Sequence, residues 1–420
     1  MRVGIIGAGI AGLSAAWLLQ PTHEVMLFEK NSCLGGHAHT QTVHDGGKAI
    51  PVDTAFQHLS IQMYPAFVQL LSILDVETTA SPVTATLYSK VSGKSLAITP
   101  LWRPRWLVAT LRPTALSWMT QLYRAIRAAA PLEMLDDWGV SVQEFVDAQG
   151  FTPDFLAEVL YPFLSGLLGT SLEDTRSMSA RAAMKYPVHH RPTHPLLPFR
   201  LLQIKGGARA YVDKLASALD RSEIRLGTAV QSVQRERGRF IVVQADGARH
   251  EVDHVVIAAP ARDAAALLDQ DPGAAPLRRA LSEFKYIKTS IAVHSDTSYM
   301  PVARGDWSSC NFIYDGACCE TTIWSGCLDK SDVFKSWVTH GSALPKHLHG
   351  LYTYYHPLMT PEYFQAQRRL GALRGEDGLW IIGSYTEDID SHESGLRSAI
   401  KLARRLSPSS RNLKRLVARL

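Results

Sequence analysis

The sequence has no CxxC pair, no internal repeat, no low-complexity tract and no run of ~18 apolar residues. Each absence removes a class of protein. The five cysteines, Cys33, Cys310, Cys318, Cys319 and Cys327, are odd in number, which argues against a disulfide framework and for a reducing compartment. Four of them crowd between 310 and 327 but do not follow the two-to-four-residue ligand spacing of zinc sites, so small buried hydrophobes or pocket lining are expected and no metal. Without a long apolar run nothing is expected to span a membrane. Met1-Arg2 leads directly into Val3-Gly4-Ile5-Ile6 with no cleavable apolar stretch, and a cytoplasmic location is the expectation. Basic residues are scattered and no recognition module occurs, which leaves nucleic acid out as a partner. The net charge of +5 is mild; acidic substrates, an anionic membrane surface or no partner all fit it.

What is present is a globular composition, 46% hydrophobic and 20% charged, over 420 residues, long enough for two domains around one large core. The strongest signal comes first. Arg2-Val-Gly-Ile-Ile-Gly7 reads as a buried strand, Gly7-Ala8-Gly9-Ile10-Ala11-Gly12 as a turn, and Leu13 to Leu19 as a helix. Gly7 permits the tight turn, Gly9 lets main chain approach a pyrophosphate, and Gly12 lets helix and strand pack closely. N–H groups at the helix start then face the phosphates. Glu24 to Phe28 is the second strand, and Glu29 closes it where a carboxylate accepts both hydroxyls of a ribose, with Lys30 beside it. A second glycine pair, Gly35-Gly36, precedes His37-Ala38-His39-Thr40 and suits a cofactor lying extended along the domain, which favours FAD over NAD.

With these segments the chain resembles the FAD-dependent amine oxidase and phytoene desaturase superfamily. Within it, the likeness is to a bacterial amine oxidase-like branch often encoded beside cyclopropane fatty acid synthases. The Gly-Gly-His-Ala-His-Thr segment, Val52-Asp53-Thr54-Ala55-Phe56 and the pair Tyr64-Pro65 carry that resemblance. Lys205-Gly206-Gly207-Ala208 before a helix near Tyr211 matches the family's return to the cofactor domain. Ile224 to Val230 and Phe240 to Gln244 read as strands, the first covering the adenine in the family. Val255 to Pro260, through Ala259, resembles the strand and turn near the pyrophosphate. Val293-His294, Asp296, Met300-Pro301 and Trp307 fit the branch's substrate-domain signature. Leu379 to Ser384, with Gly383, is an apolar strand with small residues at its exit. His392-Glu393-Ser394-Gly395-Leu396 then opens a final helix, whose start the resemblance places under the flavin ring, meeting the charge of the reduced cofactor. The family's Glu-Asp-Gly is Glu393-Ser394-Gly395 here, and Ala55 stands where glycine is common.

The resemblance implies an α/β protein: a discontinuous Rossmann-like FAD domain (the GR2 type) over 1–60, 200–265 and 371–420, with a mixed α+β substrate domain inserted at 61–199 and 266–370. It implies non-covalent FAD on Gly7, Gly9, Ala11, Gly12, Glu29, Lys30, Gly35, Gly36, His37, Thr54, Ala55, Val230, Ala259, Gly383, Ser384, Gly395 and Leu396. No catalytic residue is assigned; His37, His39, Phe56, Tyr385 and His392 adjoin these motifs as pocket candidates, local packing being the competing role for each. Residues 61–79 and 140–170 show helical spacing, through Phe67, Leu70, Leu71 and Leu74 in the first; 285–294 and 349–355 look like strands. His189, His190 and His194 are read as loop histidines, since no acidic partner lies near in sequence.

Segment 101–130 interleaves Trp102, Arg103, Arg105, Trp106, Arg112, Trp118, Tyr123, Arg124 and Arg127. A helix pair with aromatics in the core, a substrate entrance, and contact with a membrane or carrier protein all fit it. The function implied is removal of hydride from a hydrophobic small molecule such as an acyl chain or isoprenoid, by oxidation, desaturation or isomerisation. An amine oxidase releasing peroxide is the alternative and wants a lysine near the flavin, for which Lys205, Lys285 and Lys288 are available. A flavoprotein whose FAD is only structural is the third reading.

Overall fold

A computed structural model describes residues 1–99, 111–190, 199–326, 331–341, 343–373, 375–418 and 420. Trp102, Arg103, Arg105, Trp106, His194 and Cys327 lie outside the described residues.

The opening strand β1 (Arg2–Ile6) is apolar on both faces, and the structure covers both. It runs parallel between β2 (Glu24–Glu29) and β4 (His254–Ile257), in a five-stranded sheet of order β3 (Ser222–Leu226), β2, β1, β4, β5 (Leu379–Ile381), every pair parallel. The two-residue period of the strand sorts its side chains. Val3 and Ile5 join a layer of helices: α1 (Ile10–Leu19), the helices Pro65–Ile73 and Arg209–Ser217, and α2 (His392–Leu406). Ile6 faces the other way, toward Phe240, Val242 and Val252 of an antiparallel sheet formed by Val230–Glu236, Arg239–Gln244 and Arg249–Val252. The helix α1 is buried from Ala11 to Leu19, and each fully buried leucine on it contributes about 2 kcal/mol of hydrophobic stabilisation.

Strands of the parallel sheet come from the segments 2–29, 222–257 and 379–381. A second sheet, of seven strands, takes the order Leu348–Pro357, Tyr286–His294, Phe334–Trp337, Cys319–Trp324, Cys310–Tyr314, Ala85–Ser89, Lys94–Thr99. It is antiparallel except where Cys310–Tyr314 runs parallel to Ala85–Ser89. Helices between 113 and 189 cover it, with Phe163 edge-on to Phe312 and Gly166 so close that a Cβ would meet Phe312 Cδ1 at 2.8 Å.

Several expected elements are cut shorter. The helix expected over 61–79 ends at Ile73, where Asp75 turns left-handed (φ 53°), and Thr78–Val83 is a strand. The stretch 140–170 is two helical pieces: Val142–Asp147 with a Ser141/Glu144 capping box and, after a break at Gly150, a helix from Pro153 with a π-helical turn at Leu156–Leu160. The single strand expected over Ile224 to Val230 is interrupted at Gly227 (φ 77°), so Leu226 ends one sheet and Val230 begins another. Of the stretch 101–130, residues 101–110 lie outside the described residues and most of the rest falls in one helix, Pro113–Met134. No helix among the described residues is long and apolar enough to cross a membrane.

A candidate flavin site

The first turn of α1 is shaped by three glycines with different tasks. At Gly7 (φ 103°) a Cβ would stand 2.7 Å from the Ala258 carbonyl oxygen, and at Gly12 one would stand 1.8 Å from the Gly7 carbonyl oxygen. Both positions are closed by backbone. Gly9 differs: an added Cβ meets nothing within 4 Å, so the turn faces open space just where α1 presents N–H groups with no partner inside the helix. That open, amide-lined turn fits a pyrophosphate.

Glu29, 7% exposed, accepts from Ala8 N at 2.8 Å and from Asn31 N and Nδ2 at 2.9 Å. A carboxylate offers about four acceptor sites, so roughly one remains for a ribose hydroxyl, not the two expected from the motif alone. Gly35 N donates to Ala8 O at 2.9 Å, and Gly36 (φ 58°) leaves only 3.2 Å between a would-be Cβ and Gly9 Cα. The second glycine pair therefore closes over the first.

Asp53 fastens the Val52-Asp53-Thr54 segment to the Gly206-Gly207 return. Its Oδ1 accepts from Thr40 Oγ1 at 2.6 Å and Ala208 N at 2.8 Å, over Gly207, where a Cβ would clash with both Thr40 and Asp53. Thr54 is fully buried, donating to His39 O and bonding Tyr354 OH. Ala55 O accepts from Lys335 Nζ at 3.3 Å.

Aromatic rings gather beside this loop. Phe56 stacks on His392 at 3.8 Å, and His392 Nε2 bonds Tyr211 OH at 3.0 Å. The His37 ring lies 5.0 Å from Tyr354 and 5.2 Å from His356, whose Nδ1 meets Asp390 Oδ2 at 3.1 Å. Ser384 Oγ donates to the other oxygen of Asp390. Burial pushes His37 down to about 4 and His392 to about 3, leaving both imidazoles neutral at pH 7. Burial alone would raise the Asp390 carboxyl; bonds from His356 and Ser384, with the His356 charge, hold it below its ordinary value.

The start of α2 is held on two sides. Gly395 packs on α1 so closely that a Cβ would reach Ile10 Cγ2 at 2.8 Å. Glu393 accepts from Ala66 N and Phe67 N at 3.2 and 3.0 Å, capping the helix that Tyr64-Pro65 opens. Of the other expected cofactor residues, Ala11 is buried in the first turn of α1, and Ala259 sits at the crossing beneath Gly7. Gly383 N is bonded by Ser398 Oγ, Leu396 is fully buried in the helical layer, and Val230 begins the antiparallel sheet. Lys30 is exposed, 3.5 Å from Asp263.

The Tyr385 ring is in the core, edge-on to Phe284, apart from the stacked rings. His39 bonds Thr54 Oγ1 through Nδ1 and lies 5.0 Å from Tyr352. His189 does have an acidic partner, Glu133 at 2.6 Å, brought from 56 residues away. Lys205 and the exposed Lys285 and Lys288 do not reach Ala55; Lys335 does. It is 3% exposed and pushed down to about 8 by burial, against the pull of Asp53. Its signal in the sequence is a lone lysine inside the apolar run Val333-Phe-Lys-Ser-Trp-Val338.

A parallel sheet opening in a glycine-hinged helix, an acid ending its second strand and a large second sheet are the marks of a dinucleotide-binding flavoprotein. The chain belongs to the flavin-containing amine oxidoreductase family, whose match spans residues 10–295, and it is an FAD-dependent oxidoreductase. Solved structures share its fold at low identity. A fatty acid isomerase from P. acnes superposes with a TM-score of 0.70 at 13% identity, over 97% of this chain and 98% of its own. A putrescine oxidase variant gives 0.69 at 16%, over 98% and 100%. Cyclohexylamine oxidase from Brevibacterium oxydans IH-35A gives 0.67 at 16%, over 96% and 99%. An uncharacterized protein of Methanocaldococcus jannaschii is 58% identical over 36 residues, and the chain spans only 9% of that relative's length.

Proposed function

We propose that the protein holds FAD non-covalently and removes hydride from a hydrophobic small molecule that carries no ammonium group, such as an acyl chain or isoprenoid, to oxidise, desaturate or isomerise it. The observation that carries this reading is the electrostatics around Ala55 and Phe56. Its imidazoles, His37 and His392, are neutral, and its carboxylates are committed: Asp53 to Thr40 and Ala208, Asp390 to His356 and Ser384, Glu393 to a helix start. An ammonium substrate needs a carboxylate to meet it on leaving water; an apolar one does not. That a fatty acid isomerase shares the fold supports the reading.

A bound flavin supplies the two-electron acceptor. The residues do the rest. The turn at Gly9 binds phosphate through main-chain amides, and Glu29 orients the ribose. Phe56, His392 and Phe67 make a packed wall that excludes water, Phe67 meeting His392 edge-on. The start of α2 directs its positive end toward gathering negative charge. Lys335 Nζ, which burial holds at about 8, gives up its proton more readily than an ordinary lysine. Non-covalent attachment is supported by the absence of cysteine from 379–399.

The purified protein, mixed anaerobically with fatty acids, isoprenoids and primary amines, is expected to lose its visible flavin absorption with a lipid and not with amines. Bleaching by amines, with peroxide released in air, would establish an amine oxidase instead. An isomerase returns the hydride and would shift a double bond in the lipid without net bleaching, so the absence of both bleaching and a changed lipid would leave the flavin structural. Colour staying in the pellet after acid precipitation would overturn non-covalent binding.

A further inference from the structure

Between Glu77 and Glu133 the chain contains no Asp or Glu, yet carries Lys90, Lys94, Arg103, Arg105, Arg112, Arg124 and Arg127. The protein as a whole has 44 bases against 39 acids. Without these seven, 37 bases face 39 acids, so the entire positive excess belongs to this stretch. Its described parts meet in space. The hairpin of Ala85–Ser89 and Lys94–Thr99 and the start of the helix Pro113–Met134 line one cleft of about 140 Å³, which Lys94, Arg112 and Trp118 share.

The same helix sorts its residues by face. Gln121, Leu122, Ala125 and Ala129 are buried, while Leu116, Tyr123, Arg127 and Met134 lie on the outer side at helical spacing. The outer apolar side chains are large and open: Leu116 is 52% exposed, Tyr123 55% and Met134 87%, with Leu111 just before the helix at 67% and Val91 at the hairpin tip at 61%. Carboxylates from neighbouring elements are engaged on the flank: Asp154 by Trp118 Nε1, Glu158 by Ser89 Oγ, Asp306 by Ser95 Oγ. Exposed leucine, tyrosine and methionine beside arginines, on a stretch of chain with no acid between Glu77 and Glu133, match a layer with anionic headgroups above acyl chains. Nucleic acid would satisfy the arginines and leave the apolar side chains without a partner.

We propose that this face, the hairpin tip and the outer side of Pro113–Met134, seats the protein on an anionic lipid surface. The arginines supply electrostatic attraction and the apolar side chains insert among the headgroups. The inference goes beyond the reaction proposed above and stands or falls separately from it.

The test is sedimentation of the flavin-loaded protein with vesicles of phosphatidylcholine alone or with added phosphatidylglycerol, in low and high salt. Binding is expected only with phosphatidylglycerol and to weaken with salt. R112E/R127E should lower partition by at least about tenfold, since each arginine near an anionic surface accounts for roughly fivefold. L116S/Y123S should weaken it at unchanged charge. Flavin content and substrate-driven bleaching of both variants are expected to match the parent, which separates loss of docking from loss of the fold or the reaction. Equal binding to both vesicle types, no binding, or binding unaffected by either pair would overturn the proposal. So would capture by a mixed-sequence DNA duplex that L116S/Y123S leaves intact.

Discussion

Gly9 and Gly12 stand three residues apart on one turn, and a methyl group added to each meets opposite surroundings. At Gly12 it falls 1.8 Å from the Gly7 carbonyl oxygen, so G12A must push α1 off the sheet, a distortion of at least about 1–3 kcal/mol. At Gly9, with φ −75° and nothing within 4 Å, G9A is sterically free in the protein alone and costs about 1 kcal/mol or less at the helix cap. The expected outcomes are a large fall in Tm for G12A, and for G9A a near-normal apo-protein Tm with weakened FAD uptake, read by flavin titration. Normal uptake by G9A would mean that the open space over the turn is not where the pyrophosphate lies. These two glycines and Glu29 are legible in the sequence because their task is local: a turn, a helix start and the end of the next strand. Lys335, His356 and Asp390 are not, because they reach the Ala55–His37 region from strands and loops some 300 residues further along the chain.

At the scale of elements, Glu393 ties two helices together. It lies in the first turn of α2, but its carboxylate accepts the Ala66 and Phe67 amides of Pro65–Ile73, a helix with proline in its first turn and no side-chain cap of its own. E393A would leave two amide donors and the positive helix end without a partner, a cost of about 2–3 kcal/mol. E393Q keeps an acceptor and loses the charge, and about half that cost is expected. Thermal melts of the two variants check the order; equal Tm values for E393A and the parent would remove Glu393 from this role. The motif match locates Glu393 in the sequence but not its capping task, since the capped helix lies more than 300 residues away. Element boundaries fail for a related reason. Ile224 to Val230 looks like one strand by composition, and only the left-handed Gly227 shows that the chain changes sheets there. Phe67, Leu70 and Leu71 do mark a helix, but it ends at Ile73, where Asp75 turns it.

Across the whole molecule, four of the five strands of the parallel sheet read as apolar runs, Ser222–Leu226 being the exception, whereas the order of the seven-stranded sheet has no counterpart in local sequence. That topology brings polar residues from distant segments into the interior, where burial lowers His23, His39 and His250 and, furthest, five more histidines: His37, His190 and His294 to about 4, His58 and His392 to about 3. An unfolded chain protonates each near 6.5, so between pH 6.5 and 4 the unfolded state binds more protons than the folded one. Stability from these groups is full above pH 6.5 and is lost as pH falls through that window, at up to about 1.4 kcal/mol per unit for each histidine. Asp53, Glu320 and Glu393, raised by burial, act in the opposite sense, because the folded protein takes up their protons first; Asp390, held low, adds to the loss in acid. Eight lowered histidines against three raised carboxyls decide the sign. The Tm of the flavin-loaded protein is expected to be nearly level above pH 7 and to fall steadily from pH 6.5 to 4. H190Q removes one titrating group, so its decline is expected to be shallower even if its Tm at neutral pH is lower. A Tm that holds level down to pH 4.5, or an H190Q decline as steep as the parent's, would mean that these imidazoles gain protons without unfolding the chain.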